Sequence, residues 1–374
     1  MKKYGVGVVG CGNISRTYLS NLTKKFSVVD VVGISDILPE RSAAKSDEFG
    51  LHIMTTKEIC ACDDIEIVVN LTRPTEHYAV SKQALESGKH VWSEKMAAVT
   101  LEEADELAAL AQSKGLIYAV APDTFLGGGL QTCRNLVDAG MIGQPVTAHA
   151  LVARGLFLVS PDPDNKRMTL SPGGGIPFDM GGYYLTALTT ILGPVRRAAG
   201  AARVGPRSYQ NVQHPNFGEL AQLKTPTCMV GVLEFESGVL GTVTTSADSF
   251  METCQLEIFG TEGTLLLPDP NRFGGPVRLI RRNYSSLTPY EIPLTHGYSD
   301  GCSRGIGVAD MAWALQNGRL HRAVMGNHVF EIVHGIWRSG DSGQFTNLRP
   351  GGQRPAPLPS GHIEASVMEA ALAL

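Results

Sequence analysis

Two periodicities divide the chain. Up to about Phe125, short apolar runs alternate with stretches in which apolar residues recur at helical spacing. The runs lie at 6–9, 31–35, 65–71, 90–93 and 117–121, and many of their residues are β-branched. Between them, 15–25, 77–87 and 101–114 read as helices. The last has a strong start signal: Thr100 precedes Leu101, with Glu103 placed to reach back to the threonine amide. Fully apolar strands alternating with helices predict a parallel sheet covered on both faces.

Beyond Phe125 the pattern changes. Helices are expected at 127–139 and 180–191. Runs at 228–235 and 239–245 flank Glu236-Ser237-Gly238 and predict a hairpin. Further strand-like runs follow at 255–259, 264–267, 277–282 and 291–294, and short turns between neighbours predict a large, mostly antiparallel open sheet. A helix returns at 306–317, and the Pro- and Gly-rich stretch 339–361 reads as irregular. The expected fold class is α/β in three parts: a dinucleotide-binding domain over 1–125, an α+β substrate and oligomerisation domain over 126–345, and a tail over 346–374.

A length of 374 residues suits two domains. With 43 % hydrophobic and 18 % charged residues the composition is ordinary for a soluble protein. A net charge of -4 without a basic run leaves no electrostatic footprint for nucleic acid. No stretch reaches the roughly 18 apolar residues needed to span a bilayer, and Met1-Lys2-Lys3 leads into a strand rather than a signal peptide. Seven scattered cysteines argue against a disulfide framework and for a cytoplasmic location. Cys60-Ala61-Cys62 lacks a second pair of ligands, and the histidines, His214, His296, His321, His328 and His334 among them, show no zinc spacing, so no metal is expected.

The literal pattern G-x-G-x-x-G falls on Gly5-Val6-Gly7-Val8-Val9-Gly10, which is the strand itself. A phosphate cradle needs a strand, then glycines in the turn, then a helix start. Gly10 and Gly12 meet that requirement: Gly10 for the turn, Gly12 for close approach of a pyrophosphate, with Asn13 and Ile14 leading into the helix and Ser15 as the small residue in the third place. Asp36 ends the second strand, where a carboxylate accepts from adenosine ribose hydroxyls and repels a 2′-phosphate. Asp30 sits at the strand's other end. The expected cofactor is NAD rather than NADP.

Three further segments complete a pattern. Asn70-Leu71-Thr72-Arg73-Pro74-Thr75-Glu76-His77 closes one strand and opens a helix, and Glu94-Lys95-Met96 follows the next strand. Gly173-Gly174-Gly175-Ile176-Pro177-Phe178-Asp179-Met180-Gly181-Gly182-Tyr183 opens a helix in the second half. Together these resemble the Gfo/Idh/MocA family of oxidoreductases, up to about Arg338. Met96 stands where the family has proline, Tyr183 where most members have a catalytic histidine, and Thr186 where they have a second aspartate. Tyrosine at that position also occurs in the branch with glucose–fructose oxidoreductase. Pro122-Asp123-Thr124 departs from the asparagine and arginine common in inositol dehydrogenases.

The resemblance implies a Rossmann domain whose cofactor contacts include Leu71, Thr72, Pro74, His77, Glu94 and Lys95 beside Gly10, Gly12, Asn13, Ile14 and Asp36. Oxidation of an alcohol by nicotinamide leaves a proton to be handled. Lys95 and Tyr183 are the expected pair, an ammonium stabilising the phenolate. The alternative for Lys95 is a surface lysine paired with Glu94. Asp179 lies one helical turn before Tyr183 and either binds substrate, positions Lys95 or caps the helix. Asp123, Arg154 and Tyr184 are candidate substrate contacts, and Lys166 and Arg167 could reach an anion. The implied function is NAD-dependent oxidation of a secondary hydroxyl of a sugar, cyclitol or glycoside, including glycoside C3 oxidation. A redox-neutral enzyme with tightly held NAD, and a non-catalytic NAD-binding sensor or scaffold, are the alternatives. The expected partners are a small carbohydrate and further copies of the chain, as homodimer or homotetramer, with no nucleic acid and no membrane.

Overall fold

The computed structural model describes residues 2–155, 172–205, 208–210, 220–222, 225–249, 251–281 and 287–360. Five strands, β1 (Tyr4–Val9), β2 (Val29–Ser35), β3 (Ile67–Asn70), β4 (His90–Ser93) and β5 (Tyr118–Val120), form a wholly parallel sheet in the order β2-β1-β3-β4-β5. All six residues of β1 are buried, as expected of a strand covered on both faces. Gly5 and Gly7 lie inside it because a Cβ would stand 1.7 Å from the Asp64 carbonyl oxygen and 2.4 Å from the Ile59 side chain. The false glycine motif is therefore a packing device.

The helices of this domain are α1 (Ser15–Lys24), α2 (Pro39–Phe49), α3 (Thr56–Ala61), α4 (Pro74–Glu86) and α5 (Leu101–Ser113). The Thr100–Glu103 capping box forms as expected, with Glu103 accepting from Thr100 and the Thr100 hydroxyl from Glu103. Helices α2 and α3 were not expected from the pattern. Only Ser42 of α2 is buried, so it carries no apolar stripe.

The second domain opens with a 3-10 turn at Thr124–Leu126 and α6 (Gly128–Asp138). Strand β6 (Pro145–Ala153) precedes two buried helices, α7 (Ile176–Asp179) and α8 (Gly181–Leu192), of which α8 is buried at all twelve residues. Strands β7 (Val195–Arg203), β8 (Ser208–Gln210), β9 (Leu220–Gln222), β10 (Cys228–Phe235), β11 (Leu240–Ser246), β12 (Thr253–Gly260), β13 (Gly263–Leu266), β14 (Val277–Arg281) and β15 (Tyr290–Ile292) follow. Then come α9 (Ile306–Asn317), α10 (Gly326–Ser342) and β16 (Thr346–Asn347).

Nine of these strands form one sheet, β15-β14-β13-β12-β6-β11-β10-β7-β16. The expected hairpin is β10–β11, and every described pairing is antiparallel except β6 with β11. Among the described residues β8 pairs with β9 in a small separate sheet. Strand β7 and helix α10 are not expected from the pattern, and β6 enters it only as the strand end at Arg154. The segment taken as irregular from 339 begins inside α10. The supposed tail is also docked as far as residue 360: the Leu358 amide donates to Gln131 Oε1 at 2.7 Å, and Arg354 donates to Asp138 at 2.5 Å. Residues 361–374 lie outside the described part. All seven cysteines are free thiols, no described helix is long and apolar enough to cross a membrane, and no metal-ligating cluster occurs among the described residues.

Candidate active site

The loop after β1 is built around two glycines with different tasks. Gly10 has φ +104°, and a Cβ there would meet the Leu71 carbonyl at 2.7 Å. At Gly12 a Cβ would meet no protein atom within 4 Å, which leaves the backbone open to a large anion. Asn13 and Ile14 carry the chain into α1, whose N-cap Ile14 has no side-chain cap, so the positive end of the helix dipole faces the loop. Ser15 is fully buried and its hydroxyl donates to the Gly12 carbonyl at 2.6 Å, closing the turn. At the end of β2, Asp36 accepts from the Cys11 amide at 2.7 Å and the Leu38 amide at 2.9 Å. A carboxylate has about four acceptor positions, so this orients Asp36 and leaves capacity for two hydroxyls. The donors, the open glycine and the carboxylate fit a dinucleotide.

The ends of β3 and β4 are stitched together beside this loop. Asn70 is buried; its side-chain oxygen accepts from the Thr72 amide and hydroxyl, and its amide donates to the His77 carbonyl. Pro74 begins α4, and Leu71 is buried beneath Gly10. His77 is fully buried, with Nδ1 2.5 Å from the Met96 carbonyl oxygen and Nε2 3.0 Å from that of Thr72. It links the two loops and is closed off from a ligand, which corrects the expected cofactor contact. Burial pulls its pKa below the usual imidazole value. Glu94 is also largely enclosed: Tyr18 donates to its carboxylate at 2.7 Å, and the Lys95 amide at 3.2 Å. The Lys95–Met96 peptide is cis.

Lys95 reaches from the end of β4 across to the second domain, where its ammonium pairs with Asp179 of α7. Burial pulls the ammonium down, but Asp179, Tyr183 and Glu94 together outweigh it and hold its pKa above the ordinary lysine value. The ammonium lies 4.9 Å from the centre of the Tyr183 ring, over its face. Its bond is to Asp179, so Lys95 meets the tyrosine through the ring. The Tyr183 hydroxyl instead accepts from Arg304 at 3.0 Å, and the same nitrogen donates to Asn271 at 2.6 Å. Arg154, at the end of β6, lies 3.9 Å from Asp269 and 3.7 Å from the Met180 sulfur. Lys95, Asp179, Tyr183, Arg304 and Asn271 thus form one connected cluster at the strand-end edge of the parallel sheet.

Asp123 is not part of its open face. It is 1 % exposed, and Oδ2 accepts from the Gly305 amide at 2.7 Å and the Gly307 amide at 3.2 Å, so it caps α9 instead of meeting a substrate. Burial raises its carboxyl pKa to about 6. Tyr184 is 1 % exposed and packs inside α8. Lys166, Arg167 and His214 lie outside the described residues. Arg304 and Asn271 were missed by the sequence reading. Arg304 had a signal: it is a cation just before a helix start, where the dipole disfavours positive charge and another reason for it is needed.

Residues 4–121 match the family model described as "Oxidoreductase family, NAD-binding Rossmann fold", and residues 130–266 match the GFO/IDH/MocA C-terminal domain. Inositol 2-dehydrogenase of Burkholderia cenocepacia (strain HI2424) is 25 % identical over 82 % of this chain and 88 % of its own length. 1,5-Anhydro-D-fructose reductase of Ensifer adhaerens is 23 % identical over 70 % of this chain and 74 % of its own. The solved structure of levoglucosan dehydrogenase with NADH and levoglucosan superposes with a TM-score of 0.79 at 17 % identity, covering 93 % of this chain and all (100 %) of that one. The glycine loop, the carboxylate that ends β2 and the two-domain match together place this chain in the Gfo/Idh/MocA family of NAD-binding oxidoreductases.

Proposed function

We propose that the protein oxidises a secondary hydroxyl of a neutral sugar, cyclitol or glycoside, with Tyr183 and Lys95 handling the proton and the substrate oxygen. The carrying observation is the cluster in which Lys95, held by Asp179, lies against Tyr183 at the strand edge next to the glycine loop. NAD bound at that loop supplies the hydride acceptor. Tyr183 takes the hydroxyl proton as the carbon–oxygen double bond forms, and returns it when the reaction runs towards the alcohol. Lys95 donates to the same oxygen, and Asp179 fixes the direction of that ammonium. The charges of the cluster support a neutral substrate. Lys95 faces Asp179, the nearby Arg154 faces Asp269, and the carboxylates of Glu94 and Asp123 act on Arg304.

A panel of neutral polyols, cyclitols and glycosides with NAD, followed at the nicotinamide absorbance, tests this. Denaturing release of any co-purified cofactor separates NAD that dissociates from NAD that is retained. Lys95→Ala and Tyr183→Phe should each lower turnover by about 10²–10⁴-fold, the usual range for general acid–base groups, with NAD affinity little changed. The double variant should be scarcely worse than the worse single one. Intact NAD binding with no turnover on any panel member, or full activity in Tyr183→Phe, overturns the proposal.

A further inference from the structure

The segment just before α9 is held from three directions. Asn21 of α1 donates to the carbonyls of Cys302 at 3.0 Å and Arg304 at 2.7 Å. Lys25, one residue past that helix, donates to the Ser303 hydroxyl at 2.6 Å. From the end of β5, Asp123 accepts from Gly305 and Gly307. All three anchors belong to the NAD-binding domain. The Arg304 side chain leaves this clamp and turns back into its own domain, where it meets the Tyr183 hydroxyl and Asn271. Its second terminal nitrogen is 3.3 Å from the Cys302 sulfur, so the guanidinium plane is fixed at both ends. Tyr183 is only 3 % exposed, which strengthens the effect of any charge placed on its oxygen.

We propose that Arg304 is the positioning residue for Tyr183: it holds the phenol oxygen by a charge-assisted hydrogen bond and stabilises the phenolate that receives the substrate proton. This rests on the reading of Tyr183 as the proton-handling group. The clamp makes the setting of that oxygen depend on the helix that follows the cofactor loop. The charges around Tyr183 are Arg304 at its hydroxyl, Lys95 over its ring, and Asp179 and Glu94 behind Lys95. Asp123 and Glu94 also act on Arg304. The two cations touch the tyrosine, whereas the carboxylates act mainly on the cations. A planar guanidinium bound at both ends loses little freedom in making this contact, and a lysine ammonium would keep the charge without the fork.

The direct test follows tyrosinate absorbance against pH in the NAD-bound protein, with no substrate. The component lost in Tyr183→Phe reports Tyr183. In Arg304→Gln its midpoint should rise by about one unit or more, roughly tenfold less phenolate at a given pH. Arg304→Lys should restore part of the shift. Asn271→Ala keeps the charge but frees the guanidinium, and should give a smaller rise; it also serves if Arg304→Gln does not fold. On an active panel substrate, Arg304→Gln should lower kcat by about 10²-fold or more, as loss of an oxyanion donor does, with NAD affinity retained. An unchanged Tyr183 midpoint in Arg304→Gln and Asn271→Ala overturns the proposal. So does a protein with no component sensitive to Tyr183→Phe. Full turnover in Tyr183→Phe defeats the functional reading, while the absorbance still tests the Arg304–Tyr183 contact.

Discussion

We propose that Asp36 sets the choice between NAD and NADP. Its carboxylate is aimed by two amides at the loop's edge, where it suits two ribose hydroxyls and repels a phosphate. Calorimetric titration should give tighter binding of NAD than of NADP, and Asp36→Ala should narrow the gap; equal or tighter NADP binding by the parent protein would remove Asp36 from that role. Two groups enclosed by the fold link stability to pH with opposite signs. The Asp123 pKa rises from 3.8 to about 6, so between those values the folded state binds more protons and stability falls as pH rises. His334, half-buried between Phe178 and Phe330, is pulled from 6.5 to about 4, so there the unfolded state binds more protons and stability falls as pH drops. Each is worth on the order of 3 kcal/mol across its window. Urea unfolding at pH 4 and pH 7 should show Asp123→Asn gaining relative to the parent at the higher pH, and His334→Gln gaining at the lower. Parallel pH dependences for parent and variant would show that the group does not titrate on unfolding.

At the scale of the element, Thr100→Ala should cost about 1 kcal/mol by removing the acceptor of the capping box that starts α5, read as a lower urea midpoint with an unchanged slope. That box was legible because it uses local chemistry. The buried strands of the first domain were legible for a similar reason, since a strand covered on both faces is apolar throughout. Other elements hid. Strand β7 reads VRRAAGAAR, with arginines and alanines where a strand is expected to show β-branched residues. Helix α10 contains Gly335 and Gly340, which look like breakers. In the fold a Cβ at Gly335 would stand 2.8 Å from Leu348, and one at Gly340 3.1 Å from Ala201, so both permit close packing. Residues of the candidate site could be singled out where they adjoin a glycine turn or a strand end, as at Asp36 and Lys95. Arg304 is 121 positions from Tyr183, and nothing in local pattern joins them. His77 and Asp123 were placed at the right edge of the sheet, but burial turned both into internal fasteners.

For the whole molecule, the large sheet has one face against the helices and another on which Val230, Val232, Leu240 and Phe259 stand exposed. Burying that apolar surface against a second copy is the expected outcome, and light scattering at micromolar concentration should report a dimer or larger; a strict monomer would refute it. The docked segment 346–360 belongs to the same body, since it pairs with β7 through β16 and with α6 through Leu358. The middle of that sheet also has a kinetic side. Strands β10 and β11 close as a hairpin, and so do β12 and β13, each over a few residues. Yet the two hairpins touch only through β6, which lies between β11 and β12, with Thr147 opposite Leu240. The sheet is therefore expected to join late, when a strand made much earlier in the chain slots between two ribbons, and that long-range closure is the expected slow step for the domain that carries Tyr183.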